Sequence, residues 1–181
     1  MLSICKKLLH FLWKFVIIIR RKGVRRGSAP KMEESMATVS VKKLDERAIL
    51  PTYGSEYSAG ADLYALLDAE IVIAPGETKF VKTGLAMEIP VGYAGLIYAR
   101  SGLACKRGLA PANKVGVVDS DYRGEVMVAL HNHSASEQKV APGERIAQLV
   151  ITPVLAPAFT EVDELGDTVR GEGGFGSTGR K

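Results

Sequence analysis

From residue 37 onwards, short apolar runs alternate with turns that contain Gly and Pro. No run keeps the 3.6-residue period of a helix for three turns, and the runs are the length of β-strands. Eight strands are predicted, at 38–44, 70–73, 79–88, 94–99, 114–118, 126–132, 138–140 and 145–153. Short strands at this spacing are typical of sandwiches and jelly rolls. The pattern therefore predicts an all-β jelly-roll fold.

One short helix interrupts the predicted strands. Its range is 101–106, where Ser101 is expected to be the N-cap and Gly108 to end the helix. The Pro-Gly-Glu segments at 75–77 and 142–144 predict two similar turns.

The first 36 residues differ from the rest of the chain. The apolar segment 8–19 is 12 residues long and includes His10 and Lys14, whereas a membrane-spanning helix needs about 20 apolar residues. Basic residues follow it in place of a small-residue cleavage site. Two interpretations stay open: a targeting or surface-attachment segment, or a stretch outside the protein if translation begins at Met32 or Met36.

Net charge follows the same division. The 181 residues carry a formal charge of +4, but residues 1–36 contain nine basic and two acidic residues, so the remainder is mildly acidic. The basic balance therefore gives no reason to expect nucleic-acid binding. Cys5 and Cys105 lack the spacing of a disulfide framework or a zinc site, which favours a reducing, cytoplasmic compartment.

The sequence thus predicts three regions. Residues 1–36 form an extension that the fold does not need, residues 37–169 form one β domain, and residues 170–181 form a mobile arm that contains five glycines. Membrane contact of residues 8–19 is not expected.

The glycine-rich arm matches two phosphate-binding patterns on paper. Residues 171–176 fit GxGxxG, and 171–178 approximate a P-loop. Both motifs need a helix directly after the loop, and no helical pattern follows, so we reject them. Backbone amides, Ser177, Thr178 and Arg170 can still wrap a polyphosphate, and Phe175 offers an aromatic face for a nucleobase.

Other candidate residues lie at strand ends. Arg100-Ser101-Gly102 opens the predicted helix and can supply phosphate contacts. Asp119 and Asp121 would share one side of an extended segment, where one carboxylate can act as a general base. His131 and His133 share a strand face, but without a third ligand no metal site is predicted.

Five segments, taken in order, resemble the five motifs of the trimeric dUTP diphosphatases (dUTPases). They are residues 59–63, 100–102, 116–124, 143–149 and 170–179. The resemblance implies a jelly-roll homotrimer whose active sites combine motifs from more than one chain and are closed by the arm. It also implies hydrolysis of dUTP to dUMP and pyrophosphate by water attack on the α-phosphorus, which limits uracil incorporation into DNA and supplies dUMP.

By the same resemblance, Asp119 activates the water. The substrate-binding residues are Arg100, Ser101, Gly102, Asn113, Gly116, Tyr122, Gln148, Arg170, Phe175, Gly176, Ser177 and Thr178. The implied cofactor is Mg²⁺, held mainly by substrate oxygens and water, with Asp62 supporting it through water and no direct protein ligand assigned.

Selectivity is expected to come from the segment 113–122. Asn113 and main-chain groups near Gly116 would recognise the uracil edge, Tyr122 would exclude a 2′-hydroxyl, and Phe175 would cover the base. Two alternatives are weighed against this interpretation. One is a dCTP deaminase of the same fold, which lacks such a phenylalanine-containing arm, and the other is a non-catalytic nucleotide-binding regulator.

Overall fold

The computed structural model describes residues 38–174. The predicted extension at 1–36 lies outside these residues, as do Phe175, Gly176, Ser177 and Thr178 of the arm. The described chain contains eleven strands and one helix. They are β1 (Ser40–Lys43), β2 (Thr52–Tyr53), β3 (Ala61–Tyr64), β4 (Ile71–Ile73), β5 (Thr78–Glu88), β6 (Tyr93–Tyr98), α1 (Ser101–Arg107), β7 (Leu109–Pro111), β8 (Gly116–Val118), β9 (Glu125–Asn132), β10 (Gln138–Val140) and β11 (Arg145–Pro153).

The strands form three antiparallel sheets. Four strands pair in the order β1-β5-β9-β7, five in the order β2-β3-β11-β6-β8, and β10 pairs with β4. Many neighbours in these sheets are distant in sequence, as jelly-roll connections require. The predicted all-β jelly roll is confirmed.

One apolar core joins the two larger sheets. Along β9, Val126, Val128 and Leu130 are buried while Met127 is partly exposed, which is the period-2 pattern of a strand with one solvated face. These side chains share a buried cluster with Leu63 of β3 and other residues of the five-stranded sheet. Burial of this cluster is the main favourable contribution to folding.

All eight predicted strands are present, with small shifts at their ends. The predicted strand 114–118 is shortened to Gly116–Val118, because Lys114 has a φ of 66° and cannot continue an extended strand. Sequence reasoning missed β2, β3 and β7. Two and three residues are too few to show alternation in β2 and β7, and β3 has a buried aspartate near its centre.

The helix forms where it was predicted, but the assignment of its N-cap to Ser101 is wrong. Arg100 is the N-cap, without a capping hydrogen bond from its side chain, and its carbonyl accepts hydrogen bonds from the N–H groups of Leu103 and Ala104. Ser101 is already the first helical residue. Gly108 ends the helix as predicted, with a φ of 67° that suits glycine.

Strand β11 lies between β3 and β6 in the five-stranded sheet. Its Gln148 is opposite Asp62 on one side and Tyr98 on the other. This register brings three distant segments of the chain together at one place.

No helix among residues 38–174 is long and apolar enough to cross a membrane.

Candidate active site

The first group of predicted site residues gathers at the C-terminal end of β6. Asp62 of β3 and Gln148 of β11 are paired across the sheet, and Arg100 follows β6 by two residues. They line a pocket of about 300 Å³ with Gly54, Ser58, Ala59, Gly60, Ser101 and Gly102. The fold therefore brings together five predicted site residues: Asp62, Arg100, Ser101, Gly102 and Gln148.

A buried carboxylate organises the positive charge of this pocket. Asp62 is 9% exposed, and its Oδ1 accepts a hydrogen bond of 2.7 Å from Nε of Arg100. Its Oδ2 accepts one of 3.1 Å from Nη1 of Arg145. Two guanidinium groups share one carboxylate, so this group of three side chains carries a net positive charge beside the pocket. Such a charge suits a bound anion.

Gln148 is held in place from two sides. Its Nε2 donates to the carbonyl oxygen of Ala99 at 2.8 Å. A β-carbon on Gly60 would lie 2.7 Å from Oε1 of Gln148, so Gly60 provides the space for this side chain. The side-chain amide thereby lies against the backbone that leads from β6 into Arg100.

The second group of predicted residues forms a different pocket, of about 240 Å³. Asn113, Gly116, Asp119 and Tyr122 line it with mostly apolar neighbours from β5, β6, β7, β8 and β9. Gly116 is buried, and a β-carbon there would approach Nδ2 of Asn113 and Cβ of Ile97 to 3.3 Å. A pocket with apolar walls and a few polar groups is typical of small-molecule sites.

Asp119 opens a tight turn, so the expectation that Asp119 and Asp121 share one side of an extended segment is wrong. The N–H of Tyr122 donates to the carbonyl oxygen of Asp119 at 3.2 Å, which closes the turn. Nη1 of Arg123 donates to the carbonyl oxygens of Ser120 and Tyr122 at 2.7 and 2.9 Å. The turn leaves the Asp119 carboxylate exposed at the pocket.

The two pockets lie toward opposite ends of β6. Val118, next to Asp119, pairs with Gly95 near the start of β6, whereas Arg100 follows its other end. Five residues of extended chain separate Gly95 from Arg100, a distance of about 17 Å at ~3.3 Å per residue. A single chain therefore holds Asp119 and Arg100 in separate pockets.

The remaining predicted contacts come from the segment before the arm. Arg170 is exposed and is not among the residues that line either pocket; its Nε donates to the carbonyl oxygen of Gly173 at 2.6 Å. Along residues 153–172 every side chain is exposed, including Leu155 and Phe159.

Metal-ligand chemistry is sparse in the part of the chain that the structure describes. No group of three or more His, Cys, Asp or Glu side chains there is placed to hold a metal ion. The rings of His131 and His133 have centroids 4.3 Å apart, and Nδ1 of His131 lies 2.8 Å from Oγ1 of Thr78. Desolvation, together with the nearby His131 and Lys114, lowers the pKa of His133.

Sequence reasoning did not assign a role to Arg145. It lies inside the motif segment 143–149, three positions before Gln148, and its place in this motif was the available signal. Its contact with Asp62 spans 83 positions of sequence, so only the folded sheet reveals it.

Known protein families include one that matches most of this chain. The dUTPase family model matches residues 46–179. The chain belongs to the dUTPase family. Two proteins named deoxyuridine 5′-triphosphate nucleotidohydrolase, from Syntrophotalea carbinolica and Nautilia profundicola, are each 49% identical over 142 residues. The match covers 78% of this chain in both cases, and 97% and 99% of those proteins.

Solved dUTPase structures share the fold. The dUTPase of Staphylococcus bacteriophage 80alpha with dUpNHpp superposes with a TM-score of 0.72 and 30% identity, covering 78% of this chain and 98% of that one. The dUTPase of phage phi11 of S. aureus gives a TM-score of 0.66 at 26% identity, covering 72% and 99%. The predicted family resemblance is confirmed, and neither the deaminase nor the regulator alternative is favoured.

The shared carboxylate predicts a difference between two Asp→Asn substitutions. Asp62→Asn should lower the free energy of unfolding by about 1–3 kcal/mol, because two adjacent guanidiniums lose their counter-charge in a partly desolvated place. Urea denaturation measures this change in the free energy of unfolding.

Asp68 offers a matched control. It also pairs with an arginine, Arg47, at 2.7 Å, but its side chain is 91% exposed against 12% for Asp62. Asp68→Asn should change the free energy of unfolding by no more than about 0.5 kcal/mol. Equal effects of the two substitutions would contradict the proposed importance of burial.

Proposed function

We propose that this protein hydrolyses dUTP to dUMP and pyrophosphate. The observation that carries this proposal is the family match across residues 46–179, which includes the residues of both pockets. In the cell this reaction would limit uracil incorporation into DNA and supply dUMP.

Asp119 is the proposed general base. Its exposed carboxylate lies at the wall of the 240 Å³ pocket, where it can accept a proton from water. The water oxygen then forms a bond to the α-phosphorus, and the bond from this phosphorus to the bridging oxygen breaks. Pyrophosphate leaves with the electron pair, and the proton stays on Asp119 until it passes to solvent.

The pocket around Arg100 is the proposed triphosphate site. Arg100 and Arg145 supply positive charge there, and Asp62 orients both guanidiniums. Ser101, Gly102 and Gln148 add polar groups along the same wall. Charge that develops on departing pyrophosphate is stabilised by such groups if they are already in position.

The proposed nucleoside pocket explains selectivity. Asn113 and the backbone near Gly116 would hydrogen-bond the uracil edge, and cytosine would leave these groups without matching partners. Tyr122 forms another part of the wall, where it would exclude the 2′-hydroxyl of UTP.

The family match and the separation of the two pockets support a homotrimer with shared active sites. Gly95, which pairs with the neighbour of Asp119, is about 17 Å from Arg100 at the extended-chain spacing of ~3.3 Å per residue, so we infer that each active site takes Asp119 and Arg100 from different chains. Arg170, Phe175, Gly176, Ser177 and Thr178 would close the site as an arm. The exposed segment 153–172 is consistent with an arm that reaches a neighbouring chain.

The residues around Asp62 suit a Mg²⁺ ion that contacts the protein through water. Both oxygens of Asp62 already accept hydrogen bonds from arginines, so this carboxylate suits a contact through water and not direct coordination. Bound to the phosphates, the ion would neutralise part of their charge. Asp62 would orient a water molecule of its shell.

The proposed organisation keeps the three regions inferred from the sequence. Residues 37–169 form the β domain, 170–181 the mobile arm, and 1–36 an extension outside the catalytic fold. The unpaired Cys105 is consistent with the proposed cytoplasmic location.

The activity is tested with a nucleotide panel. Pyrophosphate release is measured with dUTP, dCTP, dTTP and UTP in the presence of Mg²⁺, and again after the metal is removed with EDTA. We expect rapid turnover of dUTP alone and its loss with EDTA. Binding of dUTP without pyrophosphate release would refute the proposal.

The role of Asp119 predicts that Asp119→Asn loses turnover but retains dUTP binding. Loss of a general base should lower kcat by at least about 10²-fold, while the amide preserves the size of the side chain. Asp121→Asn is the matched control, because Asp121 is an exposed carboxylate in the same turn. Full activity of Asp119→Asn would exclude Asp119 as the base.

Sharing of the site between chains predicts complementation. Asp119→Asn and Arg100→Ala chains should each be inactive, yet co-expression at equal levels should restore activity to about a quarter of all sites, which is about one site in each mixed trimer. Differently tagged chains allow the mixed species to be isolated and assayed. If purified mixed oligomers stay inactive, each site is formed within one chain.

A further inference from the structure

The wall of the nucleoside pocket contains a close approach between Tyr122 and Gly124. A β-carbon on Gly124 would clash with Oη of Tyr122 and would lie 2.6 Å from Cζ and 3.0 Å from Cε2. These distances are shorter than ordinary non-bonded contacts. The phenol ring therefore occupies the space that any side chain at position 124 would need.

The requirement for glycine here is one of space alone. Gly124 is not among the described residues with positive φ, so an L-residue can adopt its backbone conformation. This distinguishes it from glycines such as Gly84 and Gly108, whose φ values are 70° and 67°. Alanine at position 124 would consequently displace the Tyr122 ring, but it would not strain the backbone of the turn.

Few contacts hold the ring in its position. Tyr122 is 45% exposed, so the hydrophobic core does not enclose it. Its Oη donates to the carbonyl oxygen of Glu125 at 3.1 Å, which directs the ring back across Gly124. The orientation of this wall depends on one hydrogen bond and on the absence of a side chain.

We propose that Gly124 is a positioning residue for sugar selectivity, acting through the ring of Tyr122. This inference rests on the proposed function, in which Tyr122 excludes a 2′-hydroxyl. A methyl group at 124 would push the ring toward solvent and break its hydrogen bond to Glu125. The wall would then open where a ribose hydroxyl enters.

The effect should be confined to selectivity. A partly exposed ring can move outward without disturbing the core, and the backbone turn is held independently by Arg123 and by the Asp119–Tyr122 hydrogen bond. Asp119 therefore keeps its position. The kcat/KM for dUTP should therefore fall much less than the dUTP/UTP ratio of kcat/KM.

The test measures kcat/KM for dUTP and UTP with Gly124→Ala. We expect the dUTP/UTP ratio to fall at least about tenfold, since displacement of a positioning group by ~1 Å can cost ~10²-fold. Gly166→Ala is the matched control, because a β-carbon there would have no heavy atom within 4 Å. The ratio should not change in that variant.

A double substitution separates the positioning role from general damage. In a Tyr122→Ala background the ring is gone, so Gly124→Ala should cause no further change in the ratio. The proposal is overturned if Gly124→Ala lowers both activities equally, leaves the ratio unchanged, or has the same effect with and without the tyrosine.

Failure of the proposed function would be recognised separately. The wild-type protein is assayed first, and lack of pyrophosphate release from dUTP would refute hydrolysis by itself. The ratio of the dissociation constant for UTP to that for dUTP, measured by calorimetry, then replaces the dUTP/UTP ratio of kcat/KM. A fall in that ratio with Gly124→Ala supports the proposal, and no fall overturns it.

Discussion

The register of β11 between β3 and β6 is the constraint on which the pocket around Arg100 depends. Gln148 is opposite both Asp62 and Tyr98, and the chain continues from Tyr98 through Ala99 to Arg100. A shift by one residue would turn Gln148 to the other face of the sheet and expose its buried neighbours Ala147 and Leu149. Burial of these apolar neighbours therefore fixes the place of a polar group.

Asp62 holds two positively charged side chains beside this pocket. Its carboxylate lies in β3 among buried residues, where an unpaired charge would be costly, and Arg100 and Arg145 both contact it. The two cations are held close together because the anion lies between them. The fold thus keeps two positive charges in fixed positions beside the pocket, and groups held in this way need little reorganisation to meet an anion.

The pocket around Asp119 depends on a turn and on glycines. Its turn at 119–122 is closed by backbone hydrogen bonds and by Arg123, and its walls depend on glycines that leave space for neighbouring side chains. Gly116 leaves room beside Asn113, and Gly124 leaves room for Tyr122. The shape of this pocket depends on glycines, which leave space for neighbouring side chains. The arrangement of the other pocket depends on paired charges.

The sequence by itself determined the fold class, the family and most strands, because alternating apolar residues and turn residues are local signals. It also selected Asp62, Arg100, Asp119 and Tyr122 as candidate site residues through motifs that are contiguous in the chain. Only the tertiary structure decided that Arg145 shares Asp62 with Arg100, that Asp119 lies far from Arg100, and that Gly124 accommodates Tyr122. These facts depend on strand register and on distances between side chains, which no local pattern of residues specifies.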